Sequence, residues 1–103
     1  TRKETIMPAY WVARSKINDP VEYKKYTDLV PRIIAKFGGK FIVRGGKTRP
    51  LEGGWVPPRV VVLEFPSYEK AEEFYHSDHY KPILAMRLKA GKSKAILVDG
   101  HNG

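Results

Sequence analysis

From Tyr23 onward, apolar residues recur at steps of three and four: Tyr23, Tyr26, Leu29, Val30, Ile33 and Phe37. That spacing gathers them on one face of an amphipathic helix. Asn18-Asp19-Pro20 stands where such a helix would start, since Asn or Asp caps exposed amides and Pro suits the first turn. Pro31 falls inside the pattern and is expected to kink or divide the helix, because it lacks a donor and crowds the preceding turn. Gly38-Gly39 then ends it, and Lys40 to Arg44 reads as a strand that Gly45-Gly46 closes.

Tyr10 to Ser15 reads as an earlier, first strand. Gly45 to Pro58 holds four glycines and three prolines, together with Glu52 and Trp55. A loop this long in a small domain is often functional or mobile. Arg59 to Phe65 is the strongest strand signal. Pro66-Ser67 ends it and caps a second helix over Tyr68 to Tyr75, with Ala71, Phe74 and Tyr75 inward. After a break at His76 to His79, Tyr80 to Lys89 reads as a third helix, Gly91 as its stop, and Lys94 to Asp99 as the last strand.

Strand-helix-strand, taken twice, is the order of a ferredoxin-like α+β sandwich: a four-stranded antiparallel sheet with helices on one face. Val60 to Leu63 is nevertheless apolar without alternation, the pattern of a strand buried on both faces. No element is left to cover the second face. A second copy of the chain, packed sheet against sheet about a two-fold axis, is the expected partner.

At 103 residues the chain makes one domain. We assign it to 7–103 and read residues 1–6 as an extension or expression remnant. The absence of cysteine excludes disulfides, thiolate nucleophiles and Cys-based zinc sites, and suits a reducing, cytoplasmic setting. No apolar run is long enough to span a membrane, and no signal-peptide core is evident. The net charge of +8 invites a reading as a nucleic-acid binder, but the lysines are dispersed. A solvated surface with a preference for small anions fits better than specific nucleic-acid binding.

Several segments, taken in order, carry a resemblance. They are Tyr10-Trp11-Val12-Ala13-Arg14, Gly38-Gly39 through Gly45-Gly46, and Leu51-Glu52-Gly53-Gly54-Trp55, followed by Glu64-Phe65-Pro66-Ser67. Ala71, Tyr75-His76-Ser77, Tyr80-Lys81-Pro82, Arg87 and Val98-Asp99-Gly100 complete them. Together they resemble the family known as domain of unknown function 1330, in the dimeric α/β-barrel superfamily. The likeness runs from about Met7 to Gly100 and implies a ferredoxin-like protomer in a barrel-like dimer. It implies no particular activity, because the superfamily includes monooxygenases of quinone-like substrates, lactone isomerases and haem-dependent enzymes.

Glu64 ends an apolar strand, where a carboxylate losing hydration suits general acid-base work; a structural pair with Arg59 or Arg87 is the alternative. Arg87 shares a helical stripe with Tyr80, Ile83, Leu84 and Leu88, so a guanidinium faces inward. It can hold a substrate carboxylate, or tie its helix to Glu64 or Glu52. Arg44 beside the long loop suits an anion clamp or a loop-anchoring pair with Glu52. Trp55 suits a pocket lid or an interface anchor. His79 and Tyr80 open the third helix, and the histidine suits proton transfer near neutral pH. His76 and His79 lack a third separated ligand, so no metal is expected. The hydroxyls of Tyr10 and Tyr26 could reach a pocket, although aromatics at those positions are more often core. Gly46-Lys47-Thr48 is not a phosphate loop, because Phe41 stands where its first glycine belongs. No Rossmann glycine pattern or Ser-His-Asp triad is present.

The expectation is a homodimer with one pocket per protomer between sheet and loop. Arg44, Glu64, His79, Tyr80 and Arg87 would line it under Trp55. It would take a small anionic or carbonyl-bearing molecule, without a cofactor, for proton transfer or oxygenation. A non-catalytic ligand-binding or protein-interaction module is the alternative.

Overall fold

The computed structural model describes residues 7–101; the reading of residues 1–6 lies outside them. The elements run β1 (Ala9–Ile17), α1 (Pro20–Lys36), β2 (Lys40–Arg44), β3 (Val60–Phe65), α2 (Tyr68–His76), α3 (Lys81–Ala90) and β4 (Gly91–Asp99). The sheet order is β2-β3-β1-β4, and every neighbouring pair is antiparallel. Helices cover one face, as the expected ferredoxin-like arrangement requires.

Asp19 caps α1, its carboxylate accepting from the Glu22 amide at 3.1 Å, and Pro20 occupies the first turn. At the other end Gly38 adopts φ 80°, a left-handed turn open to glycine at little cost. The Gly38 and Gly39 amides bond back to the Ala35 and Ile34 carbonyls at 3.0 and 2.9 Å, which stops the helix. Pro31 does not divide α1. Its neighbours Val30 and Ile34 are buried in the core, and packing of that face outweighs one missing hydrogen bond.

The inner face of α1 is Tyr23, Tyr26, Val30 and Ile34. Leu29, expected inward, points to solvent, because the true stripe advances in steps of three, four and four. Leu88 of α3 is likewise exposed, while Ile83, Arg87 and Ala90 turn inward. The last strand is longer than expected and begins at Gly91 with no intervening loop. Gly91 pairs with Ile17, and a Cβ there would sit 2.1 Å from the Lys16 carbonyl oxygen, so close approach explains the glycine.

Side chains alternate across the sheet. Ala9, Trp11, Ala13 and Ser15 of β1, with Val61, Leu63 and Phe65 of β3, meet the helices and are buried. Tyr10, Val12, Arg14, Val60, Val62 and Glu64 occupy the opposite face and are half-buried. Val12 pairs with Val62 on one side and with Ile96 on the other. Ile96 is 63% exposed. This apolar strip is uncovered in the protomer, whose Cα atoms span only 16 Å in the thin direction.

Candidate functional site: an arginine-lined cleft

The helix-facing side of the sheet holds one polar cluster. Tyr80, at the start of α3, and Arg87, two turns on, project toward Tyr26 of α1. The Arg87 side chain is enclosed, the residue being 5% exposed. Its Nε donates to the Tyr80 hydroxyl at 3.3 Å, and its Nη1 donates to Ser93 Oγ on β4. The guanidinium also lies over the Trp11 ring, 5.3 Å from its centroid. The Tyr26 and Tyr80 hydroxyls are 2.9 Å apart.

Burial pushes the Tyr26 phenol well above the usual tyrosine range and raises that of Tyr80, where Arg87 partly offsets it, because a phenolate there would lose its hydration. Burial disfavours the Arg87 cation too, but the Tyr80 and Tyr26 oxygens more than offset that cost. The guanidinium therefore holds its proton more tightly than an exposed arginine.

A cleft opens over this cluster. Trp11 and Ser15 from β1, Tyr23 and Tyr26 from α1, and Phe41 from β2 wall it, and Arg44, Arg59 and Arg87 line it. This cleft is narrow, with about 10 Å³ open to the centre of a water-sized sphere, room for about one water. Outward it meets a broader basin at Pro20 and Lys24 that shares Tyr23, Thr27, Arg44 and Arg59 with it. Arg44 and Arg59 thus stand at the mouth and Arg87 at the floor.

The mouth is shaped by two sequence punctuators. Pro31 has no amide hydrogen, so the Thr27 carbonyl, four residues back, receives no helical bond from it. That carbonyl accepts instead from Arg44 Nη2 at 3.4 Å, while the guanidinium stacks on Phe41 at 4.2 Å. Gly45 adopts φ 68°, and a Cβ on it would lie 2.2 Å from Arg59 Nη1, so glycine makes room for that side chain. Arg59 lies 5.5 Å from the Tyr23 ring centroid. Its Nε is buried without a hydrogen-bond acceptor among the described residues. Among those residues none of the three arginines forms a salt bridge with a carboxylate.

The expected single pocket is therefore divided. Arg44, Tyr80 and Arg87 do come together, Tyr80 standing behind the lining. Glu64 lies across the sheet, where Tyr10 OH donates to it at 3.1 Å and Lys40 Nζ approaches to 3.3 Å. Strand parity places Glu64 with Val60 and Val62, so neither Arg59 nor Arg87 is its partner. The bond to Glu64, aided by some desolvation, raises the Tyr10 phenol above its ordinary value. His79 is exposed and lines a separate surface groove between α1 and α3 with Leu29, Ile33 and Met86. Trp55 is 65% exposed and contributes nothing to the cleft. Glu52 pairs with neither Arg44 nor Arg87 among the described residues. Nor do those residues bring together three potential His, Asp or Glu metal ligands.

Arg59 escapes a reading by sequence, where it is only the start of a strand and a possible partner of Glu64. Of the two tyrosines weighed for a pocket or for the core, Tyr26 is buried and lines the cleft, and Tyr10 lies on the opposite face of the sheet. No curated protein matches the chain. Among solved structures, a protein of unknown function from Rhodopseudomonas palustris shares 18% identity over 96% of this chain and 86% of its own, with a TM-score of 0.72. SnoaB, a cofactor-independent oxygenase from Streptomyces nogalater, shares 14% identity over 94% and 96% of the two chains, with a TM-score of 0.57. A dimeric ferredoxin-like protein of unknown function from Thermobifida fusca shares 14% identity over 96% of each chain, with a TM-score of 0.55. At these identities the likeness is one of fold. The family model described as Domain of unknown function (DUF1330) matches residues 8–101, and the chain belongs to that family.

Proposed function

We propose that this protein binds a small organic anion in the arginine-lined cleft, and that it works as a homodimer paired through the open face of its sheet. The observation that carries the reading is the set of three guanidinium groups on one cleft with no carboxylate partner among the described residues. Unpaired cations in a half-buried site favour an anionic occupant, since desolvation strengthens the attraction. The aromatic walls favour a planar one. Pairing as a dimer is supported by the uncovered Val12–Val62–Ile96 strip, and by the dimeric neighbour of the same fold.

A second reading, turnover of that molecule, is favoured by the enclosed Arg87–Tyr80–Tyr26 cluster. Donors held in place at low dielectric stabilise an enolate or phenolate as charge develops, which is what cofactor-independent proton transfer or oxygenation asks of a site. The neighbour described as a cofactor-independent oxygenase has this fold. Glu64 and His79 lie outside the cleft and take no part in either reading.

Calorimetric titration with benzoate and with neutral benzamide tests the proposal. Benzoate is expected to bind, benzamide at least about tenfold more weakly, and Arg59→Ala to cost benzoate about tenfold, as loss of one charge-assisted bond would. Equal binding of the two, or no binding of benzoate at millimolar concentration, would overturn it.

A further inference from the structure

We propose that the groove between α1 and α3 is a second ligand site, and that it takes a medium-chain alkyl carboxylate. It stands apart from the arginine-lined cleft and does not rest on the anion reading of that cleft. Leu29 and Ile33 of α1 and Ile83 and Met86 of α3 line it, and about 370 Å³ is open to the centre of a water-sized sphere. That volume is within the range of small-molecule sites. Ile83 is buried, Ile33 and Met86 are half-buried, and Leu29 is 47% exposed, so the apolar surface runs from the core out to solvent. The cleft is walled by aromatic rings, whereas this lining is aliphatic. Its methionine has the freedom to adjust to an alkyl chain.

The groove has a direction. The Asn18 and Asp19 amides donate to the Ala90 carbonyl, and the Phe37 and His79 rings lie 6.4 Å apart, so α1 and α3 run antiparallel. Lys36 and His79 therefore share one end of the groove, and Leu29 and Met86 the other. From Lys36 back to Leu29 is about 10 Å of helix, which suits an extended medium chain. Lys36 and Arg32, one turn before it, form no salt bridge with a carboxylate among the described residues. His79 adds an N–H donor. Asp28 lies at the Leu29 end, where Lys24 Nζ donates to its two oxygens at 3.2 and 3.0 Å. Charge thus seats an anionic head at the Lys36 end, with its tail toward Leu29. Nine residues line the groove, against about 20–30 on each side of a stable protein interface, so a small molecule fits it better than a protein.

The test measures dissociation constants for octanoate, butyrate and octylammonium by calorimetry at one ionic strength. Butyrate keeps the head and shortens the tail, and octylammonium keeps the tail and reverses the charge. Octanoate is expected to bind at least about tenfold more tightly than either. Leu29→Asp, at an exposed position that leaves the core untouched, should cost octanoate at least about tenfold and leave benzoate unchanged. Arg59→Ala, which weakens benzoate, should leave octanoate unchanged. No binding of octanoate at millimolar concentration, an affinity no better than that of butyrate or octylammonium, or full affinity in Leu29→Asp would overturn the groove site and leave the anion reading of the cleft intact. Loss of octanoate binding in Arg59→Ala would seat that compound in the cleft and overturn the second site. A lower mass of Leu29→Asp in sedimentation would give the groove to a contact between copies of this chain, and would overturn it too.

Discussion

Arg87 shows how a charged side chain is kept in a core this small. Its guanidinium trades water for the Tyr80 oxygen, the Ser93 hydroxyl and the face of Trp11. The two phenols beside it hold their protons in return, and this gives the fold a dependence on alkaline pH. A pKa raised on folding stabilises the native state fully below the unfolded value and loses that contribution as pH climbs toward the folded one. Unfolded tyrosine titrates at 10.0, and both Tyr26 and Tyr80 lie above it. Stability measured by urea is thus expected to hold up to about pH 10 and then fall by about 1.4 kcal/mol per pH unit for each phenol. Tyr26→Phe is expected to remove its share of that slope. A slope identical in wild type and variant would show that Tyr26 does not titrate out of the fold as described.

At the scale of the element, the chain's punctuation made the fold legible. Glycine and proline clusters mark the ends of strands and helices, and their order is enough for the ferredoxin-like arrangement. The site was harder to read, for reasons of phase. Strand parity sends Glu64 to one side of the sheet and Leu63 to the other, and a sequence does not announce which side carries the helices. Arg59 depends on Gly45, which is brought beside it only when the Gly45 amide bonds to the Val60 carbonyl at 2.8 Å across the β2–β3 pair. Pro31 looked like a fault in α1 and is instead the reason that the Thr27 carbonyl is open to Arg44. Pro31→Ala should restore the helical bond. It is expected to stabilise the protein by about 1–2 kcal/mol, the helix cost of a proline less its stiffening of the unfolded chain. It should also weaken benzoate binding a few-fold, because Arg44 loses its anchor. Unaltered affinity in a stabilised variant would mean that the Thr27 carbonyl does not position Arg44.

For the whole molecule, the one-sided sheet is the governing fact. A slab with helices on one face and an apolar strip on the other leaves Val12, Val62 and Ile96 in water unless a second sheet meets them. An exposed patch of this kind commonly marks an interaction surface. Sedimentation at about 10 µM should therefore give a dimer, a state that isologous pairing makes self-limiting. Val62→Lys, which places a charge at the centre of the strip, should give a folded monomer. A monomeric wild type, or a dimer that tolerates the lysine, would rule out pairing through this face.

The two tryptophans of the chain report on different places. Trp11 is enclosed under Arg87 at the cleft, and Trp55 projects from the long loop into solvent. Iodide should therefore quench the Trp55 emission and leave Trp11 nearly untouched, all the more because Lys47 and Arg49 on the same loop draw the anion in. Fluorescence that survives iodide then comes from the cleft, and its response to a titrated compound follows occupancy with no label attached to the protein.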